Sequence, residues 1–315
     1  MKKAVILGAS GGMGYNLVHE LLNRENIEVV GVARNTEKMK KMLHRLNDRV
    51  SIVAGDALHR SSILQACEGA EWIFHAINIP YPQWERDLLI IMENVLAAAK
   101  KEKAKLVVVD NIYAYGRSNG KTMSETDPKN PHTKKGKIRL RLAEMVEKSG
   151  VDYLIAHFPD FYGPCGEKTL LHHTLKKVVQ NKRSQFIGDL NIPREYIFLP
   201  DGAKALVELA LRDDTYHEHW NIPGAGVISG REIIQILREK LQYEKKVSVV
   251  TKSMIYFLGL FSPMMKEMVE MMYLVEEPVV LSDEKFEKRI GPLLKTPYEQ
   301  GIIATVDFMK HQEEA

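Results

Sequence analysis

Cysteine is scarce in this chain, with only Cys67 and Cys165 among 315 residues. Two thiols so far apart make no disulfide framework, which is what a reducing compartment permits. An excess of one charge is also missing. Forty-four lysines and arginines stand against 41 acids, a formal net charge of +3, and the signs are interspersed, so bulk charge calls for neither nucleic acid nor an anionic membrane. Long apolar runs are missing too. The most apolar late stretch, Met254 to Met272, is broken by Gly259, Pro263, Lys266 and Glu267 and falls short of the roughly 20 residues a membrane span requires. Met1-Lys2-Lys3 leads into a short apolar strand ending at Gly8, too short for a signal-peptide core. The expected location is the cytoplasm. What is present is an ordinary folded composition, 45% hydrophobic and 27% charged, long enough for one large domain or two intimate ones.

Short apolar runs at Ala4–Leu7, Glu28–Ala33, Val50–Val53, Glu71–Ala76, Leu106–Asp110 and Val151–Phe158 alternate with amphipathic segments near 12–24, 36–47, 59–67, 83–100 and 135–149. Strands apolar on both faces, separated by helices, predict an α/β fold with a doubly wound parallel Rossmann sheet. After Phe158 the rhythm changes. Helices near 167–181 and 202–212 and short strands near 184–187 and 195–198 predict a smaller mixed C-terminal domain. Ser229 with Glu232, and Thr296-Pro297-Tyr298-Glu299, read as capping boxes that start helices. The irregular stretch from about Tyr113 to Thr133 exceeds the usual loop length and is a candidate functional loop.

Directly after the first strand comes GASGGMG, with Gly8, Gly11 and Gly14 three apart. Glycines belong there because the turn is tight, the backbone must approach a pyrophosphate, and a helix opens at the third glycine with its N–H groups toward the anion. Gly8, Ser10, Gly11, Gly12, Met13 and Gly14 are the expected dinucleotide contacts. The second strand ends Gly31-Val32-Ala33-Arg34-Asn35 with no acid for ribose hydroxyls. Arg34, with Lys38 one turn on, suits a 2′-phosphate, so NADP(H) is expected over NAD(H). Asp56 and Ala57 follow the third strand, where the carboxylate suits an adenine amino group. Ala76, Ile77 and Asn78 end the fourth strand above the cofactor.

Taken in order, GASGGMG, the GDA after the third strand, the His-Ala of IFHAIN, the Tyr-Gly of VVVDNIYAYG, FYGP after the sixth strand and the later EYIFLPDGAKAL resemble an extended, atypical short-chain dehydrogenase/reductase of the NAD-dependent epimerase/dehydratase family. The resemblance spans residues 4 to about 240. It implies a nucleotide domain over 1–160, with 192–220 packing back onto it, and a substrate domain from 161–191 and 221–315. It also implies a homodimer through the helices near 83–100 and 135–149.

The departure from that family lies in its chemistry. The family uses a serine or threonine after the fifth strand and a Tyr-x-x-x-Lys pair on the next helix, the tyrosinate acting as base. Here Asn111 holds the hydroxyl position, Lys135 and Arg139 are the best-fitting pair, and none of the 12 tyrosines has a lysine four residues later. Lys135 and Arg139 share a helix face with a basic cluster at a helix start, which opposes the helix dipole and calls for an anion nearby, either cofactor or an anionic substrate. Tyr113, Tyr115 and Tyr162 are the phenols expected to border the pocket. Asn111 can polarise a carbonyl but cannot act as a base. His172-His173 and the pair His217 and His219 lack carboxylate or thiolate partners at ligand spacing, so no metal site is expected. The basic cluster carries no interleaved aromatics, so no nucleic acid is expected. The expected function is an NADP-dependent oxidoreductase acting on a small-molecule carbonyl or alcohol. The alternatives are a nucleotide-sugar epimerase or dehydratase and a non-catalytic NADP(H)-binding sensor.

Overall fold

A computed structural model describes residues 1–43 and 49–313 of the chain. Its first architecture is a strand-helix alternation: β1 (Lys2–Leu7), α1 (Gly12–Leu22), β2 (Ile27–Ala33), α2 (Thr36–Met42), β3 (Val50–Ala54), α3 (Arg60–Ala66), β4 (Trp72–His75), α4 (Trp84–Glu102), β5 (Lys105–Asn111), α5 (Lys134–Glu147), β6 (Tyr153–Phe158) and β7 (Glu218–Asn221). The seven strands lie in the order β7-β6-β5-β4-β1-β2-β3. β1 pairs in parallel with both β2 and β4, so the winding reverses at β1, and the crevice beyond the carboxyl ends of β1 and β4 is the place where such sheets bind ligands. Ala4, Val5, Ile6 and Leu7 are wholly buried, as a strand covered on both faces requires.

All six strands read from the sequence are present, and β7 is an addition. Its residues, Glu218-His219-Trp220-Asn221, alternate little apolar with polar because it is an edge strand, so it carries no two-faced apolar signal. The helix expected over 36–47 is seen as Thr36–Met42, and positions 44–47 lie outside the described residues.

The chain divides into two compact units. The first holds 1–110, 138–157 and 203–220 with the seven-stranded sheet. The second holds 111–137, 158–202 and 221–315. Residues 111–137 therefore group with the later chain rather than with the nucleotide domain to which their place in sequence assigned them. The cause is local pairing: Thr122–Met123 forms a parallel bridge with Val280–Leu281, and Arg117 Nη1 and Asn119 N both bond Glu277 at 2.6 and 2.7 Å. The long stretch expected as a functional loop is thus fastened to the later chain at Arg117, Asn119 and Thr122–Met123.

The second unit is built from small sheets. Arg194–Phe198 is the centre of a three-stranded sheet between Asp160–Tyr162 and Val227–Ile228, and Ser184–Ile187 pairs in parallel with Val247–Val250. Its core gathers Tyr162, Phe186, Tyr196, Ile233, Tyr298 and Ile302. The Ser229 capping box is formed in full, with Ser229 N donating to Glu232 at 2.8 Å and Glu232 N to the Ser229 hydroxyl at 3.2 Å. At the other expected box, Thr296 donates its hydroxyl to Asp201 at 2.8 Å, and the helix runs from Tyr298 to Glu313.

One carboxylate in this unit carries a pH signature. Glu195 is buried, accepting the N–H groups of Leu281 at 3.0 Å and Gly224 at 3.3 Å. Burial pushes its pKa up to about 7, although the two N–H bonds and Lys295 pull it down. A carboxyl whose folded pKa lies above its unfolded value adds stability in acid and loses it as pH rises through the folded value. Denaturant unfolding of the wild type is therefore expected to show stability falling between about pH 4.5 and 7 through this group, and Glu195→Gln to flatten that window. An unchanged pH profile in the variant would refute the assignment.

Candidate functional site

In the first unit, β1 and α1 are joined by a turn that only glycine allows. A Cβ on Gly14 would stand 2.2 Å from the Gly8 carbonyl oxygen. One on Gly8, whose φ is +88°, would stand 2.8 Å from the Ala76 oxygen. These contacts are backbone on backbone and cannot yield by a rotamer change, so helix and strand sit closer than any side chain permits. Gly8 N and Ala9 N bond the Val32 carbonyl at 3.1 and 3.3 Å, and Gly11 N bonds Gly8 O at 2.9 Å, closing the turn. Gly11 stands at the N-cap of α1 with no side-chain cap, and the first turn carries no acid. The first N–H groups of a helix have no intrahelical partner, and their dipole favours an anion. Ser10, Gly12 and Met13 lie on this turn.

At the end of β2, Arg34 is exposed and makes no ion pair among the described residues. Its neighbour Asn35 caps α2 by accepting from Lys38 N at 2.9 Å. Lys38 is also exposed. After β3, Asp56 Oδ1 accepts the N–H of Leu58 at 3.0 Å, which fixes the carboxylate in the turn while Ala57 is buried. Ala76 and Ile77 are half-buried and Asn78 is exposed at the end of β4.

Sequence reasoning missed a polar chain behind these loops. Arg139 on α5 is buried, lies 4.5 Å over the Trp84 ring and is 3.5 Å from Asp110 Oδ1. Asp110 Oδ2 is 3.3 Å from His157 Nδ1 on β6, His157 Nε2 is 2.8 Å from His219 Nδ1 on β7, and His219 Nε2 is 2.8 Å from Glu147 at the end of α5. The two rings are stacked, 11° from parallel. Glu147 is exposed where Asp110 and His157 are buried. Each imidazole presents one donor and one acceptor nitrogen, so the chain can pass a proton between Glu147 and Asp110 by changing tautomers. The available sequence signal was an aspartate and a histidine inside apolar strand runs, where a polar side chain needs a buried partner. His75, also buried, has its pKa pushed down to about 4 by desolvation and then by Arg139, so it is neutral at physiological pH. Arg139 Nε and His75 Nδ1 are buried without a hydrogen-bond partner among the described residues.

The second unit holds the other expected catalytic residues. Asn111 Oδ1 accepts the N–H of Tyr113 at 3.0 Å, capping the single 3-10 turn Ile112–Tyr115. Tyr113 is half-buried. Tyr115 is buried and gives its hydroxyl to Asn221 at 2.8 Å, while Asn221 itself bonds Met123 and Glu125. Tyr162, expected at a pocket margin, is instead in the core, where burial raises its phenol pKa, the reverse of what a base needs. Lys135 is 1% exposed. Its Nζ lies 2.5 Å from Glu267 and 2.6 Å from Glu270, and Glu270 also accepts the N–H groups of Lys134 and Lys135 at the helix start. The anion that a basic helix start calls for is thus supplied by the chain itself. His217 and His219 are held by Asp152 and Glu147, and among the described residues no group of three or more His, Cys, Asp or Glu could hold a metal. No helix among them is long and apolar enough to cross a membrane.

A family model described as NAD(P)H-binding matches residues 8–185, more than half of the chain and starting at the first glycine of the turn. The chain belongs to this NAD(P)H-binding family. Comparison with curated protein sequences gave no match. Among solved structures, a dTDP-glucose 4,6-dehydratase from Bacillus anthracis str. Ames in complex with NAD is similar at a TM-score of 0.82 and 17% identity, over 100% of this chain and 98% of that one. A UDP-glucuronic acid 4-epimerase from Bacillus cereus in complex with NAD follows at 0.78 and 20%, over 99% of both chains. A UDP-glucose 4-epimerase from Thermotoga maritima with UDP-glucose stands at 0.80 and 18%, over 99% and 100%. At such identities the likeness shows the fold alone, one that this chain shares with these dehydratase and epimerase structures.

Two substitutions separate a dinucleotide cradle from internal scaffolding in this NAD(P)H-binding chain. Gly14→Ala forces a Cβ against the Gly8 carbonyl and is expected to abolish dinucleotide binding in fluorescence titration. Retained affinity would rule out the cradle. Lys135→Met strands two carboxylates and is expected to cost about 3 kcal/mol of stability at neutral pH. Lys135 holds the Glu267 carboxyl below its usual pKa. That contribution exists above the unfolded carboxylate value and fades as pH falls through the folded one, so the loss should shrink in acid. Denaturant melts at both pH values check it.

Proposed function

We propose that the protein is an enzyme that binds a nicotinamide dinucleotide, NADP(H) in preference to NAD(H), and catalyses oxidoreduction of a carbonyl or alcohol in a small molecule. The observation that carries the cofactor choice is Arg34, an exposed guanidinium at the end of β2 that makes no ion pair among the described residues, with Lys38 on the following turn. A planar guanidinium matches a phosphate through two hydrogen bonds. The residues present fit the dinucleotide: the cradle at Gly8 and Gly14 leaves room for no side chain, and the orphaned Nε of Arg139 suits a ribose oxygen. When bound, the nicotinamide supplies hydride transfer.

Proton handling falls to residues other than Tyr115, Tyr162 and Lys135. Tyr115 and Lys135 are committed to internal partners. The chain Glu147, His219, His157 and Asp110 is the group of side chains built to move a proton from solvent to a buried carboxylate. Asn111 follows Asp110 directly and serves as an amide that orients a carbonyl.

A second reading is favoured by the solved structures. A dTDP-glucose 4,6-dehydratase and two UDP-sugar 4-epimerases share this fold over nearly their whole length, which supports a nucleotide-sugar epimerase or dehydratase that recycles its cofactor without net oxidation.

Titration with NADPH and NADH, with and without Arg34→Ala, followed by turnover assays on carbonyl substrates and UDP-sugars, separates the readings. Arg34→Ala is expected to weaken NADPH at least tenfold, the worth of a charge-assisted bond, and to leave NADH binding nearly unchanged. Equal loss for both cofactors would overturn the 2′-phosphate assignment. Net NADPH consumption supports the reductase. Sugar interconversion without net consumption supports the epimerase or dehydratase.

A further inference from the structure

The second unit carries an apolar surface that the dinucleotide reading does not use. Eleven large apolar side chains stand exposed among the described residues, and seven of them fall between Met254 and Met264. Scattered exposed leucines are ordinary, but a contiguous apolar patch marks a surface that meets something. Here the patch is a helical hairpin, Lys252–Gly259 turning into Pro263–Val269. At its tip Leu260 is 65% and Phe261 79% exposed, flanked by Tyr256 and Phe257 at 63% and 62%.

The hairpin is well fastened on its inner side. Ile255 is buried with Met272 and Val275, and Met265, Met268 and Val269 pack against them. Gly259 lets the two helices cross closely, since a Cβ there would stand 3.0 Å from Lys266 Cα. The inner apolar face is thus already used, and the outer one is surplus to the core. A helix apolar on both faces fits an interior or a lipid phase, not water.

Charge identifies the occupant. From residue 245 to 266 the chain has four lysines, Lys245, Lys246, Lys252 and Lys266, all exposed, and no acid. The acids that follow are engaged elsewhere or already paired: Glu267 and Glu270 hold Lys135, Glu276 holds Lys252, and Glu277 holds Arg117. Aromatic and aliphatic side chains at the tip, with Lys266 close by on the second helix and Lys245 and Lys246 on the segment that leads into the hairpin, match the boundary between acyl chains and anionic headgroups. A second copy docking through the same segment offers the same lysines and no acid between 245 and 266. We propose that the hairpin 252–269 is a monotopic docking element that seats its tip in the surface of an anionic bilayer.

The inference is independent of the dinucleotide site and is tested without turnover. Full-length protein is sedimented with vesicles of phosphatidylcholine alone and of phosphatidylcholine mixed with phosphatidylglycerol. Binding to the anionic vesicles is expected, weakened by added salt and by reversing Lys245, Lys246 and Lys266 to glutamate. The double variant Leu260→Asp/Phe261→Asp is expected to lower partitioning by about a hundredfold, roughly tenfold for each side chain withdrawn from lipid. Both positions are exposed, so an unchanged thermal unfolding curve certifies the fold. Three results would overturn the proposal. One is a wild type that stays in the supernatant with both vesicles. Another is a double variant that binds as well as the wild type. The third is a dimer in sedimentation analysis that the double variant abolishes without any vesicle binding, which would make a second copy the occupant.

Discussion

The approach of Gly14 to the Gly8 carbonyl is the contact on which the first unit depends. With a Cβ only 2.2 Å from that oxygen, any other residue would push α1 away from β1, and the same displacement would reach Ala76 at the end of β4 through Gly8. Three elements meet where the winding of the sheet reverses. The missing side chains leave open space beside the uncapped start of α1, the kind of place a pyrophosphate would need. The packing of these three elements therefore rests on one steric condition.

A second constraint shapes α5. The helix begins with lysines, the wrong charge for its positive end. In the second unit, Glu270 answers by accepting the first N–H groups and, with Glu267, the Lys135 ammonium. A buried ammonium with two carboxylates is a strong device for fixing position and a weak source of net stability, because desolvation offsets much of the attraction. Lys135 is accordingly a holder of structure, whereas Arg139, further along the same helix, keeps a donor without a partner among the described residues. Two cations that look alike in sequence have been given different work by their surroundings.

That contrast shows what the sequence could and could not say. The strands of the central sheet were legible because each is apolar on both faces, and the glycine turn was legible because its spacing has a steric cause. The capping box at Ser229 was legible because both of its members are local. Partners far apart in the chain were not legible. Nothing near Lys135 announces Glu267, nothing near Tyr115 announces Asn221, and nothing near His157 announces His219. The same limit hid β7, whose pairing gives an otherwise polar segment its strand. Charge and hydrogen-bond roles are decided by tertiary neighbours, so a reading by residue type over-assigns chemistry to conspicuous cations and phenols and passes over an aspartate inside an apolar strand.

A tyrosinate base works because a neighbouring cation lowers its pKa, yet Tyr115 is spent on Asn221 and Tyr162 is raised by burial. What the first unit provides instead is a carboxylate at each end and two stacked imidazoles between, with every link at 3.3 Å or less. Such a chain works because each ring passes a proton by changing which nitrogen bears it. It also explains why His157 can stay fully buried without a penalty, since both of its nitrogens are engaged. The buried end is Asp110, whose neighbour in sequence is Asn111 and whose other oxygen faces Arg139. If this unit supplies the protons of a dinucleotide-dependent reaction, the route runs along Glu147, His219, His157 and Asp110.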